Sequence, residues 1–319
     1  MKLADLKPTP IYDFYWKFAA ERQNIFIAKS NGDSFPWTKD EILQKYRFTN
    51  VYRACDRVSQ FLIKNVIYGS PSKNEEDIVF RILLFKIFNS IETWNFLEQN
   101  IGNILYSSFS FDGYNGVLSH MFNSHMKLYS GAYIMPSGKS IFGQDRKFTN
   151  HLLLIKHMFN DKFTTKLVKS KSLEDVYKLL LSYPSIGSFL AFQYSIDLNY
   201  SEIIDFSEMD YVVAGPGARS GIKKCFLNSD EFTPEEIIYC ITDYQSEEFS
   251  RLNLQFKNLG KRPLQLIDCQ NIFCEFDKYS RVKFPMIKGL FDRNRIKRIY
   301  TENDEPIDFF YPPKWQLLL

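Results

Sequence analysis

The sequence predicts a mainly α-helical fold with few or no strands. Apolar residues recur at helical spacing through most of the 319 residues, capping signatures precede several of these runs, and alternating strand-like runs are scarce. With 45% hydrophobic and 17% aromatic residues the chain can build a substantial core, and its 24% charged residues are ordinary for a globular protein. By length it reads as one compact helical unit over 1–319, divisible into an N-terminal lobe at 1–145 and a second lobe at 146–319.

Taken in order, Thr38 with Glu41 reads as a capping pair ahead of a helix. Val51, Ala54, Cys55, Val58, Phe61 and Leu62 make one long apolar stripe, and Ile78 to Phe88 is apolar nearly all round, as expected of a buried central helix. The Ser/Gly/Asn-rich intervals 69–75 and 135–144 read as loops. Ser172 with Asp175 caps a helix over 173–182, on which Leu173, Val176, Tyr177 and Leu180 recur, and Pro184 ends it. Ile186 plugs the turn, Gly187 supplies a backbone conformation closed to other residues, and Phe189, Phe192 and Ile196 trace one face of a second helix. The result is a helical hairpin, whose backbone N–H groups can hold a phosphate without side-chain charge. Thr233-Pro234 with Glu236 opens a further helix, whereas Phe273 to Phe284 fits helix and strand alike.

Between Ala214 and Lys224 three glycines, Gly215, Gly217 and Gly221, leave the backbone bare, with Arg219, Lys223 and Lys224 adding charge. Such a run suits close approach to a phosphate or sugar, or serves as a plain connection between helices. It lacks the Walker spacing and its Lys-Ser/Thr ending, so it is not a P-loop. Net charge is only +3, which leaves any affinity for a polyanion to local clusters. Lys288, Arg293, Arg295, Lys297 and Arg298 stand against the single acid Asp292 in one such cluster, a phosphate-contacting strip or a solvated surface segment.

Five cysteines without a secretory signal point to a reducing cytoplasm, and no stretch reaches membrane-spanning length. Cys269 and Cys274 are the only close cysteine pair and do not make a metal set; His120, His125, His151 and His157 read as packing or surface residues. No metal or organic cofactor is implied.

The hairpin, the carboxylate of Asp210 lying 23 residues after Gly187 (210 minus 187), and the glycine run after it resemble the working centre of a helix-hairpin-helix DNA glycosylase. The resemblance implies that Asp210 is the catalytic carboxylate, stabilising positive charge on the sugar and orienting the attacking water. Family members that also cut the backbone carry a lysine two residues after the hairpin glycine; Phe189 stands there, which implies a monofunctional enzyme. Ser185 replaces the first glycine of the common Pro-Gly-Ile-Gly turn.

A narrower resemblance rests on Phe14-Tyr15-Trp16, Glu21-Arg22-Gln23, Pro36-Trp37-Thr38, the run Tyr46 to Arg53, Asp56 to Gln60, the Gly-Pro-Gly-Ala loop, and Asp268-Cys269-Gln270-Asn271 with Cys274 to Tyr279. These resemble the helical domain of hydroxymethyluracil DNA kinases, also described as the α-glutamyl/putrescinyl thymine pyrophosphorylase family. The implied partner is DNA, as a modified phage genome, with no membrane and no obligate protein partner. The implied activity is excision of a hypermodified pyrimidine, leaving an abasic site, as antiphage defence. The alternatives are a transferase that adds an amino acid or polyamine to an activated hydroxymethyl base, and a non-catalytic DNA-binding module.

On this reading Gln23, Asn50, Phe189, Tyr211, Gln270 and Asn271 line the base pocket, while Ser185, Gly187, Gly215, Gly217, Arg219, Gly221, Lys223 and Lys224 hold phosphate. An internal network stapling the N-terminal helices competes for the same polar residues. It is preferred for Glu21, Arg22 and Asp56 and stays level for Gln23 and Asn50.

Overall fold

The computed structural model describes residues 1–302 and 306–317; among them are fifteen α-helices and no β-strand. Pairing outside helices is confined to isolated bridges, Pro8 with Phe226, Tyr46 with Ile299 and Leu259 with Arg262. The mainly helical class read from the spacing is the class observed. None of the described helices is long and apolar enough to cross a membrane.

The chain forms two compact units. The first combines Met1–Asp56 with Tyr211–Asp308 and the segment from Trp315; the second holds Arg57–Asp210 and Phe309–Lys314.

The first unit is built on the helix Leu266–Lys283. Phe273 and Phe276, three residues apart on that helix, meet Tyr15 and Phe18 of the helix Tyr12–Ser30, with ring centroids 4.3 and 6.0 Å apart. That packing makes Phe273 to Lys283 helical, where periodicity alone was ambiguous; each fully buried ring contributes roughly 1.5–3 kcal/mol. The helix Pro216–Cys225 lies against the same central helix, and its glycines explain how closely. A Cβ on Gly221 would sit 2.2 Å from the Phe273 carbonyl oxygen, and one on Gly217 2.3 Å from Cys274 Sγ. Asp277 fastens the pair: Lys224 Nζ lies 3.0 Å from its Oδ1, Ser220 Oγ donates to the same oxygen at 2.8 Å, and Arg281 pairs with Oδ2. Burial opposes the charge on Asp277, but Arg281 and Lys224 outweigh it and hold the carboxyl below its ordinary value.

The second unit contains the helix Glu75–Phe88, capped by Asn74 and buried without a break from Val79 to Phe88, as the all-round apolar run predicts. Its hairpin pairs Leu173–Leu181, capped by Ser172, with Ser188–Asn199, in which every residue from Leu190 onward is buried. Two local expectations are corrected. The stripe from Val51 to Leu62 is not one helix: a short turn at Arg53–Cys55 is followed by extended backbone at Asp56 and a new helix from Arg57, where the chain passes between units. Asp40, not Thr38, caps the helix Glu41–Lys45, accepting from the Ile42 and Leu43 N–H groups. Thr38 instead donates to Glu21.

Candidate nucleic-acid interface

On leaving Leu266–Lys283 the chain runs over the first unit as a strap held at both ends. At one end Gly289 seats on the helix Pro216–Cys225, where a Cβ would fall 2.2 Å from Ser220 Oγ, and the Leu290 N–H donates to that oxygen at 3.2 Å. At the other the Arg47 N–H donates to the Arg298 carbonyl at 3.1 Å and the Tyr300 N–H to the Lys45 carbonyl at 2.9 Å. Ile296 is buried between the anchors, while Arg293, Arg295, Lys297 and Arg298 face solvent, and Lys45 and Arg47 are exposed beside the second anchor. Cations fixed in position on a pinned backbone can meet successive phosphates with little ordering penalty.

Next to the second anchor three aromatic side chains gather. Phe35 and Tyr300 are nearly parallel at 6.2 Å and 14°, and Trp37 stands edge-on to both, at 5.3 and 6.1 Å. Lys29 Nζ lies 5.2 Å from the Trp37 ring centre and 5.8 Å from that of Tyr300. Aromatic faces beside cations are what unpaired bases stack on. The cationic strip was visible in the sequence; the aromatic cluster was not, because Tyr300 is remote in sequence from Phe35 and Trp37.

The hairpin turn carries its strain at Ser185, whose φ of 65° is the left-handed conformation usually taken by glycine. Gly187, expected to need a conformation closed to other residues, has φ −80° and ψ 171°, extended backbone open to any residue. It caps Ser188–Asn199 with open space around it. Phe189 stacks on Tyr133 at 5.9 Å and 11°.

Asp210 is exposed, its N–H donating to the Ser207 carbonyl at 3.2 Å, and is the last residue of this stretch of the second unit; Tyr211, half-buried, begins the return to the first. Gly215 caps the helix Pro216–Cys225, and Gly217 and Gly221 turn towards the central helix of the first unit. Arg219 donates to the Ala214 carbonyl at 3.0 Å and pairs with Glu235 at 3.2 Å, Lys223 pairs with Asp230, and Lys224 is buried on Asp277.

Asn50 and Asn271 do come together, in a network within the first unit. Asn271 Nδ2 donates to Thr49 Oγ1 at 3.0 Å and to the Asn50 carbonyl at 3.2 Å, while Asn50 Nδ2 donates to the Cys55 carbonyl at 2.9 Å. Arg22 donates to the Thr49 carbonyl at 3.1 Å, and the Thr49 N–H donates to Glu275 at 3.0 Å. Burial pushes the Asp56 carboxyl up to about 6, against the pull of the Asn50 N–H it accepts and of Arg22. Gln270 is buried, and Gln23 donates to the Lys257 carbonyl at 2.9 Å while its Oε1 is buried without a protein partner.

In the second unit His151 anchors the loop ahead of it. Its Nε2 lies 2.8 Å from the Pro136 carbonyl, which only accepts, so Nε2 carries the proton and Nδ1 accepts from the Tyr129 hydroxyl at 2.9 Å. Burial pushes this imidazole down from 6.5 to about 4, more than the Pro136 carbonyl restores. Below 6.5 the unfolded chain binds a proton that the folded ring refuses. Stability is therefore full above pH 6.5 and declines as pH falls towards 4, by roughly 3 kcal/mol from this group. In denaturant titrations across that range His151→Gln should flatten the slope; an unchanged slope would refute the assignment.

A family model described as 5-hmdU DNA kinase, helical domain, matches residues 9–289. Among curated proteins, a 5-hmdU DNA kinase from Bacillus phage SP10 is 26% identical over 288 residues, covering 84% of this chain and 45% of the phage protein. The chain thus spans less than half the length of this relative. No solved structure matches. These findings overturn the expectation of a DNA glycosylase: both names are those of a kinase, a transferase, and neither describes a hydrolase that releases bases to abasic sites in antiphage defence. The base-modification alternative lies closer.

Proposed function

The chain belongs to the 5-hmdU DNA kinase helical-domain family, and from that premise we propose that it holds and presents a 5-hydroxymethylpyrimidine in DNA for group transfer onto that base. The carrying observation is the pinned cationic strap, with Arg293, Arg295 and Lys297 exposed between two backbone anchors. Phosphoryl transfer to a hydroxymethyl oxygen also requires a cradle for the donor nucleotide. Gly217 and Gly221 pack helices and lack Walker spacing, so we assign this chain the nucleic-acid side of the reaction. The turn at Ser185–Gly187 is a second proposed phosphate contact, since the helix start at Gly187 is open.

Fluorescence anisotropy with otherwise identical oligonucleotides carrying thymine or 5-hydroxymethyluracil tests the reading. A hydroxyl matched by protein hydrogen bonds is expected to give about tenfold tighter binding of the hydroxymethyl strand. Equal affinities would remove the base-directed part of the proposal, and no binding to either would remove it entirely.

A further inference from the structure

The core of the second unit holds a charged pair under an aromatic cover. Lys86 is 2% exposed; its Nζ lies 3.2 Å from Asp197 Oδ2 and donates to Asn89 Oδ1 at 2.8 Å, and the Tyr194 hydroxyl donates to the Lys86 carbonyl at 3.1 Å. Asp197 is fully buried. A hydrophobic pair of the same volume would usually serve stability as well, so the pair asks for another explanation. Over the ammonium, 4.4 Å from Nζ to its centre, lies the ring of Tyr133, which stacks in turn on Phe189. Phe189, in the first turn of Ser188–Asn199, is 36% exposed, so the edge of this stack is open to solvent.

Tyr133 reaches that position at a conformational cost. Its φ is 54°, a left-handed backbone that aromatic residues seldom adopt. Both sides of the loop are clamped. Before it, the Ser130 N–H donates to the Phe88 carbonyl at 3.1 Å and Asn89 Nδ2 donates to Ser130 Oγ at 3.0 Å. After it, the Pro136 carbonyl accepts from His151 and the Ser137 carbonyl accepts from Asn150 at 3.0 Å. The strain therefore sits at the residue whose ring covers the ammonium, between two fixed points, with Ile134 beside it 69% exposed.

We propose that Tyr133 holds the place of a pyrimidine: an everted base enters the stack on Phe189 above Lys86 while Tyr133 and Ile134 swing outward between Ala132, tied to Ser130 Oγ through both its backbone groups, and the clamp at Pro136. A pyrimidine is a flat six-membered ring like the phenol it displaces, and extruded bases are commonly held between aromatic side chains. Its carbonyl oxygens accept from an ammonium, a stronger match than the face of a phenol. An ammonium donates only, so the O4 carbonyl of a uracil-type base fits where the N4 amino group of cytosine is refused. Departure of Tyr133 also releases the left-handed backbone. The idea rests on the proposed DNA reading for its ligand class, but its residues all lie in the second unit, whereas the strap lies in the first.

Free nucleosides test the slot without the strap. The full chain is titrated calorimetrically with 5-hydroxymethyl-2′-deoxyuridine, thymidine and 2′-deoxycytidine, alongside Tyr133→Gly and Phe189→Ala, two changes outside the packed core. The uridine-type nucleosides should bind more tightly than deoxycytidine; Tyr133→Gly should bind them roughly tenfold more tightly because the competing ring is gone, and Phe189→Ala roughly tenfold less because a stacking face is lost. Absence of binding to both the unmutated chain and Tyr133→Gly, equal affinity for deoxycytidine, or indifference to Phe189→Ala each overturns the proposal. Nucleoside failure with strap-dependent DNA binding retained removes only the slot; nucleoside binding without DNA binding removes only the DNA reading.

Discussion

Replacing Arg293, Arg295 and Lys297 together by alanine is expected to weaken DNA binding about a hundredfold near 0.1 M salt and to reduce the slope of log affinity against log salt by about 3. Three exposed cations make three phosphate contacts, each releasing a counterion when it forms. The fold should survive, because these side chains face solvent, Ile296 stays in place, and the strap is tied by backbone groups at Leu290, Arg298 and Tyr300. Anisotropy titrations over a salt series read both quantities. A triple variant with the original slope would show that DNA passes elsewhere, and a slope lost only together with the helical circular dichroism signal would mean that the strap is structural.

Gly221→Ala is expected to destabilise the protein by about 3 kcal/mol, even though alanine is the better helix former by about 1 kcal/mol. The new methyl would stand 2.2 Å from the Phe273 carbonyl oxygen and 2.9 Å from its carbon, backbone atoms that cannot rotate aside. The two helices would have to part, loosening the buried Lys224–Asp277 pair as well. Gly217→Ala is the control. Its nearest contact is the Cys274 side chain at 2.3 Å, which can turn, so its loss should be the smaller. Thermal unfolding separates the cases: a midpoint fall of roughly 6–12 °C for Gly221→Ala is expected, and an unchanged or raised midpoint would refute the packing argument.

Those glycines also mark where the sequence could be read and where it could not. Periodicity and capping located the buried helix Glu75–Phe88, the hairpin helices and the start at Pro234, because each depends on neighbours in the chain. A glycine spaced four residues from another looks the same whether it admits a phosphate or a second helix. Only the arrival of Phe273 and Cys274, some fifty residues later in the chain, decides between them. Asn50 with Asn271 and Arg47 with Arg298 are likewise joined across more than two hundred residues, beyond the reach of any local rule. The spacing from Gly187 to Asp210 suggested an excision enzyme, but a carboxylate at a given interval carries little chemistry by itself, and the match over residues 9–289 points to transfer instead.

The make-up of the first unit from Met1–Asp56 and Tyr211–Asp308 dictates an order of events on the ribosome. Tyr15 and Phe18 emerge long before their partners Phe273 and Phe276, which follow them by more than two hundred residues. Residues 57–210 can condense while synthesis continues, whereas the helix Tyr12–Ser30 must wait, its aromatic face uncovered, for the distant helix Leu266–Lys283. Holdase chaperones would therefore engage the nascent chain at the uncovered face of the helix Tyr12–Ser30.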